Sequence, residues 1–256
     1  MILILDFGSQ YTQLIARRIR EENVYCEIYP GNKNVNIFLK HKNLDGIILS
    51  GSYDSVCSNG FVCPDDIVWN LGVPILGICY GMQLIAKYFG GKVIKSEHRE
   101  FGIANIKIKN NHLLFNGLNL NEIVWMSHGD RLFNVPKSFD VIAESDNHQF
   151  AAIQNIKRNI YGVQFHPEVN HTVNGRKILK NFLFKICNSK KNWTIKSYIV
   201  DEIKKIKEEI KNRKVLCAMS GGVDSSVAAM MLYKAIGKQL ICIYIDHGLQ
   251  RVGETD

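Results

Sequence analysis

Short apolar runs alternate with helix-spaced stretches along the N-terminal part of the chain. Ile2–Leu5 is a run of four apolar residues, the pattern of a strand buried on both faces. Gln10–Glu22 follows with helical spacing, and Val24–Tyr29, Gly46–Leu49 and Pro74–Ile78 predict further strands. Gly81–Phe89 reads as a helix that Gly90-Gly91 stops, because glycine tolerates the left-handed cap conformation. This alternation predicts an α/β fold with a mainly parallel sheet flanked by helices.

The pattern then changes to closely spaced short strands. Ile103–Lys109, Ile123–Met126, Val141–Ser145, Ala151–Ile156 and Ile160–Phe165 predict a β-rich extension packed on the first sheet. Gly175–Cys187 reads as a closing helix, and the polar, basic segment Asn188–Asn192 marks a domain boundary. Two domains are expected, residues 1–190 and 191–256. The second opens with the charged amphipathic helix Trp193–Arg213 and the strand Val215–Met219. The Gly-rich turn Ser220–Ser225, the helix Ser226–Ile236 and the strand Leu240–Ile245 follow, the N-terminal part of a domain expected to be truncated.

Composition narrows the compartment and the partners. The apolar opening run stops at Asp6, without a basic start or a small-residue cleavage site, so no secretory signal is expected. No stretch suggests a membrane span, and a cytoplasmic location is expected. The seven cysteines are odd in number, and their spacings match neither a disulfide framework nor a paired zinc site. The net charge is +8, but the lysines are scattered, with a local excess around Lys185–Lys214 and no stripe interleaved with aromatics. That favours an anionic small molecule over nucleic acid.

Gly77-Ile78-Cys79-Tyr80-Gly81 lies between a predicted strand and a predicted helix. Small residues flanking a potential nucleophile describe a sharp turn that lifts the central side chain above the sheet edge. The following helix start favours the thiolate, the reactive form. A thiolate needs a base and the base an orienting group. Gly162-Val163-Gln164-Phe165-His166-Pro167-Glu168 supplies both: His166 ends a strand, and Glu168 can hold its ring in one tautomer.

Gly77-Ile78-Cys79-Tyr80-Gly81-Met82-Gln83 and His166-Pro167-Glu168 together resemble the class I glutamine amidotransferases over roughly residues 1–190. The resemblance implies that Cys79 attacks the side-chain amide of L-glutamine, that His166 shuttles the proton and that Glu168 orients His166. It further implies that Gln83, Ser127 and His128, in Ser127-His128-Gly129-Asp130, contact the glutamine. Backbone N–H groups of Tyr80 and Ser52 would form the oxyanion hole. The family usually has Ser-Gly-Gly-Pro where this chain has Ser50-Gly51-Ser52-Tyr53. A residue with a Cβ resists positive φ, so weakened glutaminase activity and harmless variation are both open.

Ser220-Gly221-Gly222-Val223-Asp224-Ser225-Ser226 follows a strand and opens a helix. Its glycines, hydroxyls and helix dipole suit an anion cradle, but it lacks the Gly-Lys-Ser/Thr of a Walker A loop. It resembles the SGGxDS loop of the ATP pyrophosphatases, whose fold is adenine-nucleotide hydrolase-like. This implies ATP as a magnesium complex, with Asp224 near the metal and phosphates. Asp246-His247-Gly248-Leu249-Gln250-Arg251 resembles a segment of the same domain and adds Asp246 and Arg251 as nucleotide-site candidates. The combination resembles the glutamine-hydrolysing GMP synthases. The resemblance implies amination of ATP-activated XMP by ammonia from glutamine, in an enzyme that is a homodimer when full length. Members of that family continue well beyond residue 256, so the chain is expected to be a fragment that hydrolyses glutamine without making GMP. Other readings are a glutaminase subunit of another amidotransferase, a non-catalytic amidotransferase-like module and an RNA-modifying pyrophosphatase. The Ser220–Ser226 loop argues against the first, and the Cys-His-Glu pattern against the last.

Overall fold

The computed structural model describes residues 1–32, 44–109, 112–147 and 149–245. Two compact units divide the chain, Met1–Asn192 and Trp193–Asp256.

The first unit is built on one nine-stranded sheet. Its parallel half contains β1 (Ile2–Asp6), β2 (Cys26–Pro30), β3 (Gly46–Leu49), β4 (Ile75–Ile78) and β9 (Ile160–Val163), in the order β2-β1-β3-β4-β9. Antiparallel strands continue beyond β9: β8 (Ala152–Asn155), β7 (Asp140–Ser145), β5 (Lys92–Ile108) and β6 (Asn121–Asn134). The predicted β-rich extension therefore does not pack on the first sheet. It prolongs the same sheet, because β8 pairs antiparallel with β9 from Ala152↔Val163 to Asn155↔Ile160.

Side chains of successive strand residues point to opposite faces. Ile2 and Ile4 join one core with Ile15, Ala16 and Ile19 of α1 (Thr12–Glu21) and with Ile178 and Leu179 of α3 (Gly175–Lys180). Leu3 and Leu5 join the other with Met82, Leu84 and Ile85 of α2 (Tyr80–Tyr88) and with Val68 and Trp69. Burial on both faces explains why β1, β3, β4 and β9 read as apolar runs, whereas the edge strand β2 carries Glu27 and is only partly buried. The predicted closing helix is α3 followed by a wider π turn, Asn181–Ile186. At that turn the Asn181 amide donates to the carbonyls of Leu114 and Asn116.

The second unit carries α4 (Ile195–Ile210), capped by the reciprocal Thr194–Ser197 box, and α5 (Val223–Ile236). Its strands β10 (Val215–Met219) and β11 (Leu240–Tyr244) pair in parallel, with Cys217 opposite Cys242. Leu216, Val223, Met230 and Tyr233 remain exposed. Among the described residues, no helix is long and apolar enough to cross a membrane.

Candidate active site

The nucleophile candidate sits where β4 turns into α2. Cys79 is the N-cap of α2, with φ +52° and ψ −105°. A non-glycine residue held there is strained, and such strain gathers at functional positions. The flanking glycines are needed for space. A Cβ on Gly77 would lie 2.5 Å from the Gly81 carbonyl group, and one on Gly81 would lie 2.4 Å from the Leu49 carbonyl oxygen. The Cys79 N–H donates to the Val163 carbonyl at 2.8 Å, which ties the turn to the strand leading to His166. The Cys79 thiol faces the Ser127 carbonyl at 3.6 Å, and the Gln164 amide donates to its sulfur at 3.6 Å.

His166 reaches this sulfur from the end of β9. Its backbone N–H donates to the Trp125 carbonyl at 3.0 Å, and its own carbonyl accepts from the Thr172 hydroxyl at 2.6 Å. Its ring Nδ1 lies 2.7 Å from Glu168 Oε1, and both side chains are buried. Glu168 accepts there, so Nδ1 carries a hydrogen and Nε2 is the nitrogen that meets the Cys79 sulfur. Burial alone disfavours the charged ring. The Glu168 carboxylate and hydrogen bonds to Cys79 and Glu168 outweigh it, holding the His166 pKa well above 6.5. Arg18 Nε donates to the Glu168 carbonyl at 3.0 Å, and the Tyr11 ring packs edge-on to His166 at 5.0 Å between centroids. Glu168 Oε2 is buried with no hydrogen-bond partner among the described residues.

A cleft of about 710 Å³ opens above these groups. Ser52, Cys79, Tyr80, Gln83, Ser127, His128 and His166 all line it. Glu168 stands behind His166, outside this lining. Both N–H groups of the Gln83 amide are engaged, by the Asp130 carbonyl at 3.0 Å and by Gln164 Oε1 at 3.4 Å. Its oxygen is therefore the atom it offers to a ligand. The His128 ring bridges the Asp130 carbonyl at 3.0 Å and Glu100 at 3.2 Å. Ser52 is not among the residues with positive φ, so its Cβ adds no strain there. Its hydroxyl accepts from the Asp54 N–H at 3.0 Å.

Sequence reasoning passed over several groups at the site. Ser9, Gln10 and Tyr11 line the cleft from the loop after β1, and Lys95 and Arg99 from the irregular part of β5. The one usable signal was positional. Ligands bind beyond the carboxyl ends of parallel strands, and Ser9–Tyr11 follow such an end. The other cysteines are separate from this chemistry. Burial pushes the Cys26 thiol up to about 11 and raises that of Cys187 too, and neither lines the cleft.

The second candidate site lies in the other unit. Gly221 adopts φ +77°, and Gly222 caps α5, so Val223, Asp224 and Ser225 form the first helical turn. The helix starts earlier than the predicted Ser226. The hydroxyls of Ser225 and Ser226 donate to the Gly222 carbonyl at 3.0 and 2.9 Å, and Ser220 and Ser225 share a hydrogen bond at 3.1 Å. These bonds close the loop and leave first-turn N–H groups directed past the helix end. Asp246 and Arg251 lie outside the described residues. Among the described residues, no cluster of three or more His, Cys, Asp or Glu is arranged to hold a metal ion.

Residues 3–186 match the sequence profile of the glutamine amidotransferase class-I family, and residues 213–254 that of the tRNA methyl transferase HUP domain. Glutamine-hydrolysing GMP synthases from Staphylococcus epidermidis and Clostridium kluyveri are 53% and 51% identical over all 256 residues. The match takes in 50% of each relative, so the chain spans about half the length of the curated relatives it matches. The crystal structure of a protein from Thermoplasma acidophilum, assigned as one subunit of a GMP synthase, superposes with TM-score 0.66 at 35% identity. That match covers 80% of this chain and 96% of the other. A glutamine amidotransferase from Thermotoga maritima shares the fold, with TM-score 0.54 at 19% identity over 93% of this chain and 96% of the other.

Proposed function

Because this chain belongs to the class-I glutamine amidotransferase family, we propose that Cys79, His166 and Glu168 hydrolyse the side-chain amide of L-glutamine. One observation carries the reading. A cysteine held at φ +52° on a helix N-terminus meets a buried imidazole whose far nitrogen is 2.7 Å from a buried carboxylate.

The thiol proton passes to His166 Nε2 while the electron pair stays on sulfur. The sulfur attacks the amide carbon, and the carbonyl electrons move onto oxygen. N–H groups of Tyr80 and Ser52 stabilise that oxyanion; removing one such donor typically costs about 3 kcal/mol of transition-state stabilisation. His166 then protonates the departing nitrogen, ammonia leaves and a thioester remains. Water, deprotonated by His166, attacks the thioester and releases glutamate. Glu168 keeps the ring oriented and offsets its charge throughout. Gln83, Ser127 and His128 position the glutamine.

Residues 1–190 are the proposed amidotransferase domain, and residues 191–256 the N-terminal part of a nucleotide-activating domain. In that second part, Ser220–Ser226 bind the phosphates of ATP. Asp224 falls in the first turn of α5, where phosphate would also sit. A carboxylate beside phosphate calls for a cation between them, which fits the magnesium complex of ATP as the substrate. Relatives that are glutamine-hydrolysing GMP synthases support the reading that the whole protein makes GMP; amination of ATP-activated XMP, a cytoplasmic location and a homodimer are proposed with it from the sequence resemblance.

Labelling the chain with a glutamine analogue that carries an electrophilic diazoketone tests the glutaminase. A single adduct on the Cys79 peptide, prevented by excess glutamine, is expected. Adducts spread over the exposed Cys57 and Cys63 without one on Cys79 would overturn the assignment.

A further inference from the structure

The Gln164 side chain is in contact with the sulfur, and the proposed mechanism gives it no task. It is buried at 2% exposure in the run between β9 and His166. Its Nε2 lies 3.6 Å from Cys79 Sγ. Its Oε1 accepts from Gln83 Nε2 at 3.4 Å, and Gln83 Nε2 also donates to the Asp130 carbonyl at 3.0 Å. A carboxamide can flip and exchange its oxygen and nitrogen. Here a flip would face the Gln164 NH2 with the Gln83 NH2, two donors without an acceptor. The carbonyl of Asp130 thus fixes Gln83, Gln83 fixes Gln164, and the N–H of Gln164 is held toward the sulfur.

We infer that Gln164 is a second stabiliser of the Cys79 thiolate, donating to the sulfur once His166 has taken the proton, and that Gln83 sets its orientation. The inference rests on the glutaminase reading, because it presumes a thiolate at Cys79. When Cys79 loses its proton to His166 Nε2, the charge left on sulfur faces the Gln164 N–H and the positive end of α2. A donor aimed at the charged form favours that form. The neutral thiol gains less, since it bonds instead to the Ser127 carbonyl at 3.6 Å. Gln83 therefore does more than face the cleft. Through Gln164 it links the Asp130 carbonyl, part of the cleft wall, to the nucleophile.

The test follows the rate of iodoacetamide alkylation against pH, read by mass spectrometry on the Cys79 peptide of the 256-residue chain. Wild type is compared with Gln164→Met, which keeps the length and removes the donor, and with Gln164→Asn, which keeps the amide but withdraws it. For Gln164→Met the alkylation midpoint is expected to rise by about one pH unit, the scale of one lost donor. Glutamine turnover at neutral pH should fall about tenfold with KM little changed. Gln164→Asn should lie between, and it carries the test if Gln164→Met does not fold. Midpoints equal to wild type in a folded variant would overturn the inference while leaving the glutaminase reading intact. Wild-type chain that neither turns over glutamine nor alkylates at Cys79 would overturn both.

Discussion

At the scale of single residues, the site depends on what small side chains permit. The Cys79 elbow closes only because Gly77 and Gly81 leave room for backbone atoms that a methyl group would strike. Gly81→Ala should therefore cost about 1–3 kcal/mol in chemical denaturation and sharply lower glutamine turnover. Cys79→Ala should abolish turnover at nearly unchanged stability. The pair separates folding from chemistry. His166 gives a pH signature. Its folded pKa is held well above 6.5, mainly against burial and by Glu168. The stabilisation from the charged ring is thus complete below the unfolded value and lost as pH rises through the raised folded value. The stability difference between wild type and His166→Gln should be widest in mildly acidic solution and narrow on the alkaline side. A difference that widened with increasing pH would show that the ring is not held protonated. At this scale Cys79, His166 and Glu168 were legible as spaced motifs. Gln164 was not, because a polar residue near a strand end looks like any other until its amide is placed against the sulfur.

At the scale of elements, the site is assembled from strand ends and helix starts that converge on one edge of the sheet. The start of α3 presses on the segment carrying the proposed base: a Cβ on Gly175 would lie 2.0 Å from the Pro167 carbonyl oxygen. Gly175→Ala should displace Pro167, disturb the His166–Glu168 pair and lower kcat more than KM, although residue 175 touches no substrate. Unchanged kcat would mean that the helix start yields instead. The inner parallel strands β1, β3, β4 and β9 were readable because burial on both faces leaves almost no polar interruption. Strands β5 and β6 were only half readable. Beyond the apolar stretches around Ile103 and Val124 they continue through mixed polar and apolar residues, among them the buried His128 and Leu132, and β5 carries an irregularity between Lys95 and Glu100. Periodicity stops there although the hydrogen-bonded ladder does not. The place of the extension was misread for a related reason. Alternation identifies strands, but it does not say which neighbour they pair with.

At the scale of the molecule, the two units carry different candidate sites. The first carries its candidate site at the strand ends of a sheet whose parallel part is covered on both faces. In the second, two described strands and their helices leave Leu216, Val223, Met230 and Tyr233 exposed. Its relatives are about twice as long as this chain. The 256-residue polypeptide should therefore release glutamate from glutamine, yet form no GMP when given XMP, ATP and magnesium. Nucleotide analysis by chromatography checks this, and a GMP peak would show that the described phosphate loop suffices for activation. The most direct measurement of the central proposal is glutamate release by the purified chain and by Cys79→Ala and His166→Ala. Turnover in the parent chain, with none in Cys79→Ala and at most a trace in His166→Ala, is the expected result. Equal turnover in the parent and in Cys79→Ala would contradict it.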